Sequence, residues 1–111
     1  MSAGAGFVTD AVETAGRVRD ARHFRAFKHA VSDFIRVLGS MPDEGPNRIS
    51  SDGARLLQSL GEDVIDCIEE RVADAAHAAD AQVLVGSVYE IRRLLEEVNR
   101  FRQHYTIARH V

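Results

Sequence analysis

Hydrophobic residues recur every three or four positions along most of the chain, which is the period of an amphipathic α-helix. The pattern is most regular in the last third, at Leu84, Val88, Ile91, Leu95, Val98, Phe101 and Tyr105. From residue 81 onward this stretch contains no Pro and a single Gly. We therefore predict a long C-terminal helix whose apolar face needs partners to cover it.

The first third of the chain also has a helical pattern, but its phase changes partway. Apolar positions can be followed from Phe7 to Val18, and a second series then begins at Phe24. Two helices, or one helix bent near residues 16–20, fit this change equally well. The second series alternates spacings of three and four, as in the seam of a coiled coil. We interpret its members as a candidate interface: Phe24, Phe27, Val31, Phe34 and Leu38.

Residues 39–50 are predicted to form a loop that ends the first helical region. Gly39 suits the residue after a helix, and the two prolines at 42 and 46 cannot continue one. The helix that follows carries one apolar face, at Leu57, Leu60, Val64, Ile68 and Val72. Three consecutive residues are candidates for its N-cap: Ser50, Ser51 and Asp52.

No Gly or Pro separates this helix from the C-terminal one. Continued past Val72, its apolar stripe would reach Val83, whereas the C-terminal helix uses Leu84. Because the apolar face rotates, we predict a break near residues 78–81, with Asp80 as the new N-cap. One continuous helix of roughly 55 residues is the alternative, and only a multimer could support its length of about 80 Å.

These segments predict an all-α fold: an up-and-down helical bundle of three long helices, or of four, completed by self-association. Residues 1–6 are small and are predicted to form a flexible N-terminal tail. Residues 7–111 are predicted to form a single helical-bundle domain with the loop at 39–50. At 111 residues an isolated three-helix bundle has only a thin core, so pairing two copies would stabilise it.

The composition fits a cytoplasmic globular protein. Hydrophobic residues make up 45% and charged residues 28% of the chain. No apolar run approaches the roughly 18 residues of a membrane span, and the N-terminus does not resemble a signal peptide. The single cysteine, Cys67, lies among apolar residues, and we expect a buried, inert thiol. Thirteen Arg against one Lys is typical of a GC-rich bacterial genome.

Charge is distributed unevenly, although the net charge of −3 argues against binding nucleic acid through bulk charge. Between residues 52 and 80 there are eight Asp or Glu and two Arg. Basic residues gather in the first long helix and near the end of the chain, and the anion- or nucleic-acid-binding candidates are Arg22, Arg25, His29, Arg100, Arg102 and His104. The solvated face of an amphipathic helix and a helix C-terminus account for the same residues.

The stretch from Arg22 to His29 resembles, in spacing, a motif of the HEPN superfamily of helical ribonucleases. That motif is an Arg followed by four to six residues and a His, and the segment between these two residues here is HFRAFK. The resemblance covers eight residues and implies that Arg22 and His29 face each other across a dimer and cleave RNA. In the superfamily the motif usually lies on a late helix, whereas here it lies on an early one.

No other pattern points to catalysis. The chain has no Gly-rich phosphate loop, nucleophile elbow or His-Glu-x-x-His pair. Asp74 and Asp80 each lie three positions from His77, which would suit half of a di-metal site in a helical bundle, but the second half is missing. We expect neither a metal nor a cofactor. The leading hypothesis is a non-enzymatic interaction or regulatory module that forms a homodimer or binds a partner helix; an anion- or nucleic-acid-binding protein and a helical metalloprotein are the alternatives.

Overall fold

The computed structural model describes residues 3–41, 49–74 and 78–110, with side chains described for residues 6–41, 49–74 and 79–100. Those residues form four helices: α1 (Ala3–Asp20), α2 (Phe24–Gly39), α3 (Ser51–Asp74) and α4 (Ala78–His110). The predicted all-α bundle is confirmed, with four helices. None of the helices, over the described ranges, combines the length and the apolar character needed to span a bilayer.

The bundle is built from two antiparallel hairpins that lie side by side. α1 turns back into α2, and α3 turns back into α4. Across the bundle α1 packs beside α3, and α2 packs beside α4. Val8 lies beside Gly53, and the carbonyl of Ala21 accepts a hydrogen bond from Arg71. The contacts near both ends of the pair therefore show that α1 and α3 run parallel.

The two hairpins meet so that consecutive helices α2 and α3 occupy opposite corners. α1 and α4 occupy the other two corners. Residues 40–50 therefore connect diagonal helices. α4 has 33 residues, about 50 Å of helix, which matches the longest dimension of the molecule, 53 Å.

The beginning of the chain is more helical than its sequence indicated. α1 begins at Ala3 and takes in residues 3–6, which we had assigned to a flexible tail. The region between the two apolar series is a break between two helices and not a bend. Asp20 ends α1, and α2 begins at Phe24.

The ends of the loop at 39–50 are closed by serines. Gly39, which was predicted to follow the helix, is instead the last residue of α2. Ser40 is the C-cap of that helix, with φ −100°. Ser50 caps α3, because its Oγ accepts a hydrogen bond from the Gly53 amide at 3.0 Å. The prolines at 42 and 46 lie outside the described residues.

The break between α3 and α4 is confirmed, but its position and its cap differ from the prediction. α3 ends at Asp74 and α4 begins at Ala78, a few residues before the predicted site. Asp80 therefore lies in the first turn of α4 and is not its N-cap. A carboxylate in that turn still complements the positive end of the helix dipole.

The core is one apolar cluster to which all four helices contribute. Phe27 and Phe34 of α2 are fully buried at its centre, and Ile49, just before α3, is buried with them. Thr14 is the buried polar residue of α1; its hydroxyl donates to the Asp10 carbonyl at 2.8 Å. No buried polar side-chain atom in the described part of the chain lacks a hydrogen-bond partner.

α3 and α4 approach each other closely at Gly61. A Cβ atom at that position would lie 2.6 Å from a methyl carbon of Leu95. One turn earlier, the Gln58 side-chain amide donates a hydrogen bond to the Leu95 carbonyl at 2.7 Å. The absence of a side chain at position 61 therefore allows the two helix backbones to come together.

Arg71, near the end of α3, closes the turn between α1 and α2. Its guanidinium donates hydrogen bonds to the carbonyls of Ala21 and Arg22, which follow the last turn of α1. The same group lies 4.8 Å from the centre of the Phe27 ring. These carbonyls lie just beyond the C-terminus of α1 and have no partner within a helix, so a cation from α3 satisfies them.

Candidate functional site

The basic residues predicted on α2 lie along a groove between α2 and α4. The α2/α4 groove holds about 500 Å³ and is lined by Phe24, Arg25, Lys28, His29, Ser32 and Asp80. Two of the sequence candidates, Arg25 and His29, therefore lie at one site, together with Lys28. The residues come together because they span the first two turns of α2, and α4 starts alongside with Asp80 in its first turn.

The electrostatics of this groove favour an anion. α2 has no acidic residue in its first turn, and its N-cap, His23, forms no side-chain capping hydrogen bond within the described part of the chain. The positive end of the helix dipole therefore adds to the charge of Arg25 and Lys28. The Lys28 ammonium lies 5.7 Å from the centre of the Phe24 ring. Asp80 is the opposing charge and lowers the net positive potential.

The two residues of the ribonuclease-like spacing do not line the same groove. His29 lines the α2/α4 groove, whereas Arg22 precedes α2 and is not among the lining residues. The backbone carbonyl of Arg22 accepts a hydrogen bond from Arg71 at 3.4 Å. Within one chain, the geometry therefore does not pair Arg22 with His29 in a cleft.

The second basic cluster lies far from the first. Arg100 is exposed on α4, twenty positions after Asp80, which corresponds to about 30 Å along the helix. Arg102 and His104 belong to α4, but their side chains lie outside the described residues. Arg25 and His29 therefore do not form one continuous basic surface with Arg100.

The apolar seam on α2 is used inside the chain. Phe27, Val31, Phe34 and Leu38 are buried in the core of the four-helix bundle, and Phe24 is partly buried. We had interpreted these residues as a candidate interface. Because four of these side chains are already covered within one chain, those four offer no free surface to a second one, whereas Phe24 lines the α2/α4 groove.

A different apolar surface remains open, between α1 and α3. This α1/α3 groove holds about 380 Å³, and Ala15 and Gly16 of α1 line it opposite Leu60 and Val64 of α3. Val12 also lines it and is 45% exposed. Leu56, one turn before Leu60 on the same side of α3, is 39% exposed.

Our sequence reasoning missed this groove, although one local signal points to it. Leu56 and Leu57 are adjacent, and consecutive residues on a helix point about 100° apart. Leu57 is fully buried, so Leu56 has to face another direction. An apolar residue just outside a well-defined core stripe therefore marks a second surface.

The rim of the α1/α3 groove is charged, mainly by acids. Asp63 and Asp66 line it, together with Arg19 from α1. Neither aspartate forms an ion pair with another described residue, whereas Arg19 lies 3.6 Å from Asp20. Unpaired carboxylates beside apolar side chains suit a partner that is both apolar and basic.

Cys67 lies on the same groove and is half-buried. Burial raises the pKa of its thiol, and the nearby carboxylates of Glu70 and Asp63 raise that pKa further. A thiol with a raised pKa holds little thiolate at neutral pH. The geometry therefore gives Cys67 a packing role at the groove and no nucleophilic one.

The described residues offer no metal centre. Within residues 3–41, 49–74 and 79–100, no three His, Cys, Asp or Glu side chains come together as ligands. His77, the centre of the metal hypothesis, lies outside the described residues. Comparison of the chain with protein-family models, with curated proteins and with solved structures gave no match.

Proposed function

We propose that this chain is a small, non-enzymatic interaction module that forms a homodimer through the α1/α3 groove. The observation that carries the proposal is the open apolar surface at Val12 and Leu56. These two side chains flank a groove lined by small and aliphatic residues, whereas the other exposed large apolar side chains of the described residues lie on α4 and do not line this groove: Val83, Val85 and Tyr89. Exposed apolar side chains beside an apolar groove suit an interaction site.

The molecular surface is larger than that of a compact monomer of the same mass. The chain exposes 7196 Å², whereas a monomer of 12.3 kDa is expected to expose about 6,100 Å². The excess is about 1,100 Å², and a standard interface buries about 800 Å² of each partner. The elongated shape, with a radius of gyration of 14.9 Å against about 13 Å expected, accounts for this excess.

Sedimentation velocity and light scattering over a range of concentrations test the proposal. We expect a monomer–dimer equilibrium, and Val12→Arg should raise the dissociation constant by at least about tenfold, because it places a charge in an apolar contact. Val83→Arg is the matched control, since Val83 is 52% exposed on α4 and does not line the groove. A wild-type chain that stays monomeric at about 100 μM would end the proposal.

Anion binding at the α2/α4 groove is the second candidate function. Arg25, Lys28 and His29 converge there at the uncapped start of α2, which is the observation that favours it. Fluorescence anisotropy with labelled single-stranded RNA at low salt tests it, with Arg25→Ala/Lys28→Ala as the variant. Arg92→Ala/Arg93→Ala is the control, because those arginines lie on α4 away from the groove and pair with acids. Binding that the two variants weaken equally would reject the groove as the site.

A further inference from the structure

The α1/α3 groove lies against the most acidic element of the molecule. α3 contains seven Asp or Glu against Arg55 and Arg71, a formal charge of −5. Arg71 is engaged with the turn between α1 and α2 and so does not neutralise the groove. Asp63 and Asp66 therefore present unpaired negative charge beside Leu60 and Val12. A partner that fills this groove should carry both cations and apolar residues.

The end of α4 has that composition. We call residues 102–110 the basic segment: it contains Arg102, His104, Arg109 and His110 and no Asp or Glu. Tyr105, Ile107 and Ala108 lie between these residues in sequence. Residues 21–29 have a similar composition, but Phe27 of that stretch is buried in the core, so the stretch is not free to enter a groove.

The basic segment lies beyond the end of its neighbouring helix. Gln58 hydrogen-bonds to Leu95 across the antiparallel pair, so Ser51 lies level with about residue 102. The last eight residues of α4 therefore extend about 12 Å past the start of α3. A helix that continues past its neighbour is positioned to contact another molecule.

The basic segment cannot reach the groove of its own chain. α4 is one continuous helix from Ala78 to His110 and lies diagonally across the bundle from α1. Leu60 lies nine residues, about 14 Å, inside the start of α3, whereas the segment extends outward from that level. Its occupancy of an α1/α3 groove therefore requires a second copy of the chain.

We propose that the basic segment of one copy binds in the acidic α1/α3 groove of a second copy, and that two such contacts hold the dimer. The inference rests on the self-association proposed above and identifies the two surfaces that meet. Segment cations face Asp63 and Asp66, and the apolar residues of the segment cover Val12 and Leu56. A dimer held by these ion pairs weakens as salt rises from about 0.05 M to 0.5 M.

A charge exchange on full-length chains tests the pairing. The groove variant is Asp63→Arg/Asp66→Arg, and the segment variant is Arg102→Glu/Arg109→Glu. Each variant alone sets like charges against each other at both contacts, so its dissociation constant should rise at least about tenfold. An equimolar mixture restores opposite charges at both contacts, and its dissociation constant should return to within about threefold of the wild-type value. Glu62→Arg/Glu96→Arg reverses two exposed acids that do not line the groove, and it should dimerise more tightly than the groove variant.

The outcomes separate this inference from the proposed function. Circular dichroism at matched concentration first establishes that each variant is folded. If the mixture does not associate better than either variant alone, the pairing of segment and groove is overturned. If the variants leave the dimer unchanged but Val12→Arg breaks it, the groove is the interface and the basic segment is not its occupant. A wild-type chain that remains monomeric removes both proposals together.

Discussion

Replacement of Gly61 by Ala is the sharpest test of the packing between α3 and α4. Gly61 lies inside a 24-residue helix, where Ala is favoured over Gly by about 1 kcal/mol. Against that gain, the new Cβ would lie 2.6 and 2.7 Å from the two methyl carbons of Leu95 and 3.0 Å from its Cγ. Carbon atoms pack best at about 3.5–4.0 Å. The new Cβ would therefore lie roughly 1 Å closer to the carbons of Leu95 than favourable packing allows.

Leu95 cannot relieve this overlap with a simple rotation. Rotation about χ2 moves the two methyl carbons but leaves Cγ in place, and the side chain is only 5% exposed. α3 and α4 would have to separate slightly, and overpacking of this kind costs about 1–3 kcal/mol. After subtraction of the helix-propensity gain, we expect Gly61→Ala to lower the free energy of unfolding by about 1 kcal/mol.

Gly86→Ala is the matched control. Gly86 lies inside α4, and a Cβ atom there would meet nothing within 4 Å. We expect that variant to gain up to about 1 kcal/mol, so the two variants should differ by about 2 kcal/mol. Urea unfolding followed by circular dichroism at one fixed chain concentration measures the difference, because self-association would make stability concentration-dependent. Equal stabilities for the two variants, within about 0.5 kcal/mol, would refute the close approach at Gly61.

Three further predictions follow from single side chains. Arg71→Met should lower the free energy of unfolding, measured in urea, by about 2 kcal/mol, because it leaves carbonyls just after α1 without a donor. The control, Arg55→Met on the same helix, should change that free energy by less than about 0.5 kcal/mol. Ser50→Ala should cost about 1 kcal/mol through loss of the α3 cap, with Ser59→Ala as the control; equal effects in calorimetry would contradict the cap. The raised pKa of the Cys67 thiol leaves less thiolate at pH 8 than a free cysteine has, so its alkylation by iodoacetamide should be slower; a rate equal to that of free cysteine would contradict this.

Periodicity predicted the elements well because each apolar stripe had one dominant partner, the common core. The α2 series from Phe27 to Leu38 was identified residue by residue, and these side chains are buried. What the pattern could not reveal was whose core they would join. A seam that can close against another chain has the same spacing as one that closes against its own, so intramolecular burial had to come from the structure.

The helix ends were harder to predict because they depend on single contacts. Ser50 was among three plausible caps, and only the Gly53 amide distinguishes it. The role of Arg71 has no local signature at all, since the carbonyls that it binds lie about fifty positions earlier in the chain. The sequence groups basic residues only by their neighbours along the chain. It therefore does not distinguish Arg71, which stabilises the fold, from the others.

The candidate sites were predicted only in part for the same reason. Arg25 and His29 line one groove because they are four positions apart on one helix. The α1/α3 groove combines residues from two helices that are about 45 positions apart in sequence, and no spacing rule connects them. Surfaces built between elements require the packing to be known first.

The diagonal placement of α2 and α3 has a consequence for how fast the chain folds. Only the contacts inside each hairpin join residues that are near in sequence; the contacts of α1 with α3 and of α2 with α4 span about 45–55 positions. In a bundle whose helices follow one another around the square, α2 would instead pack on α3 across a short loop. Doubling the length of a closed loop costs about 0.6 kcal/mol, and a higher contact order slows folding. Docking of the two hairpins should therefore set the folding rate, and shortening residues 40–50 would change it less than weakening either hairpin.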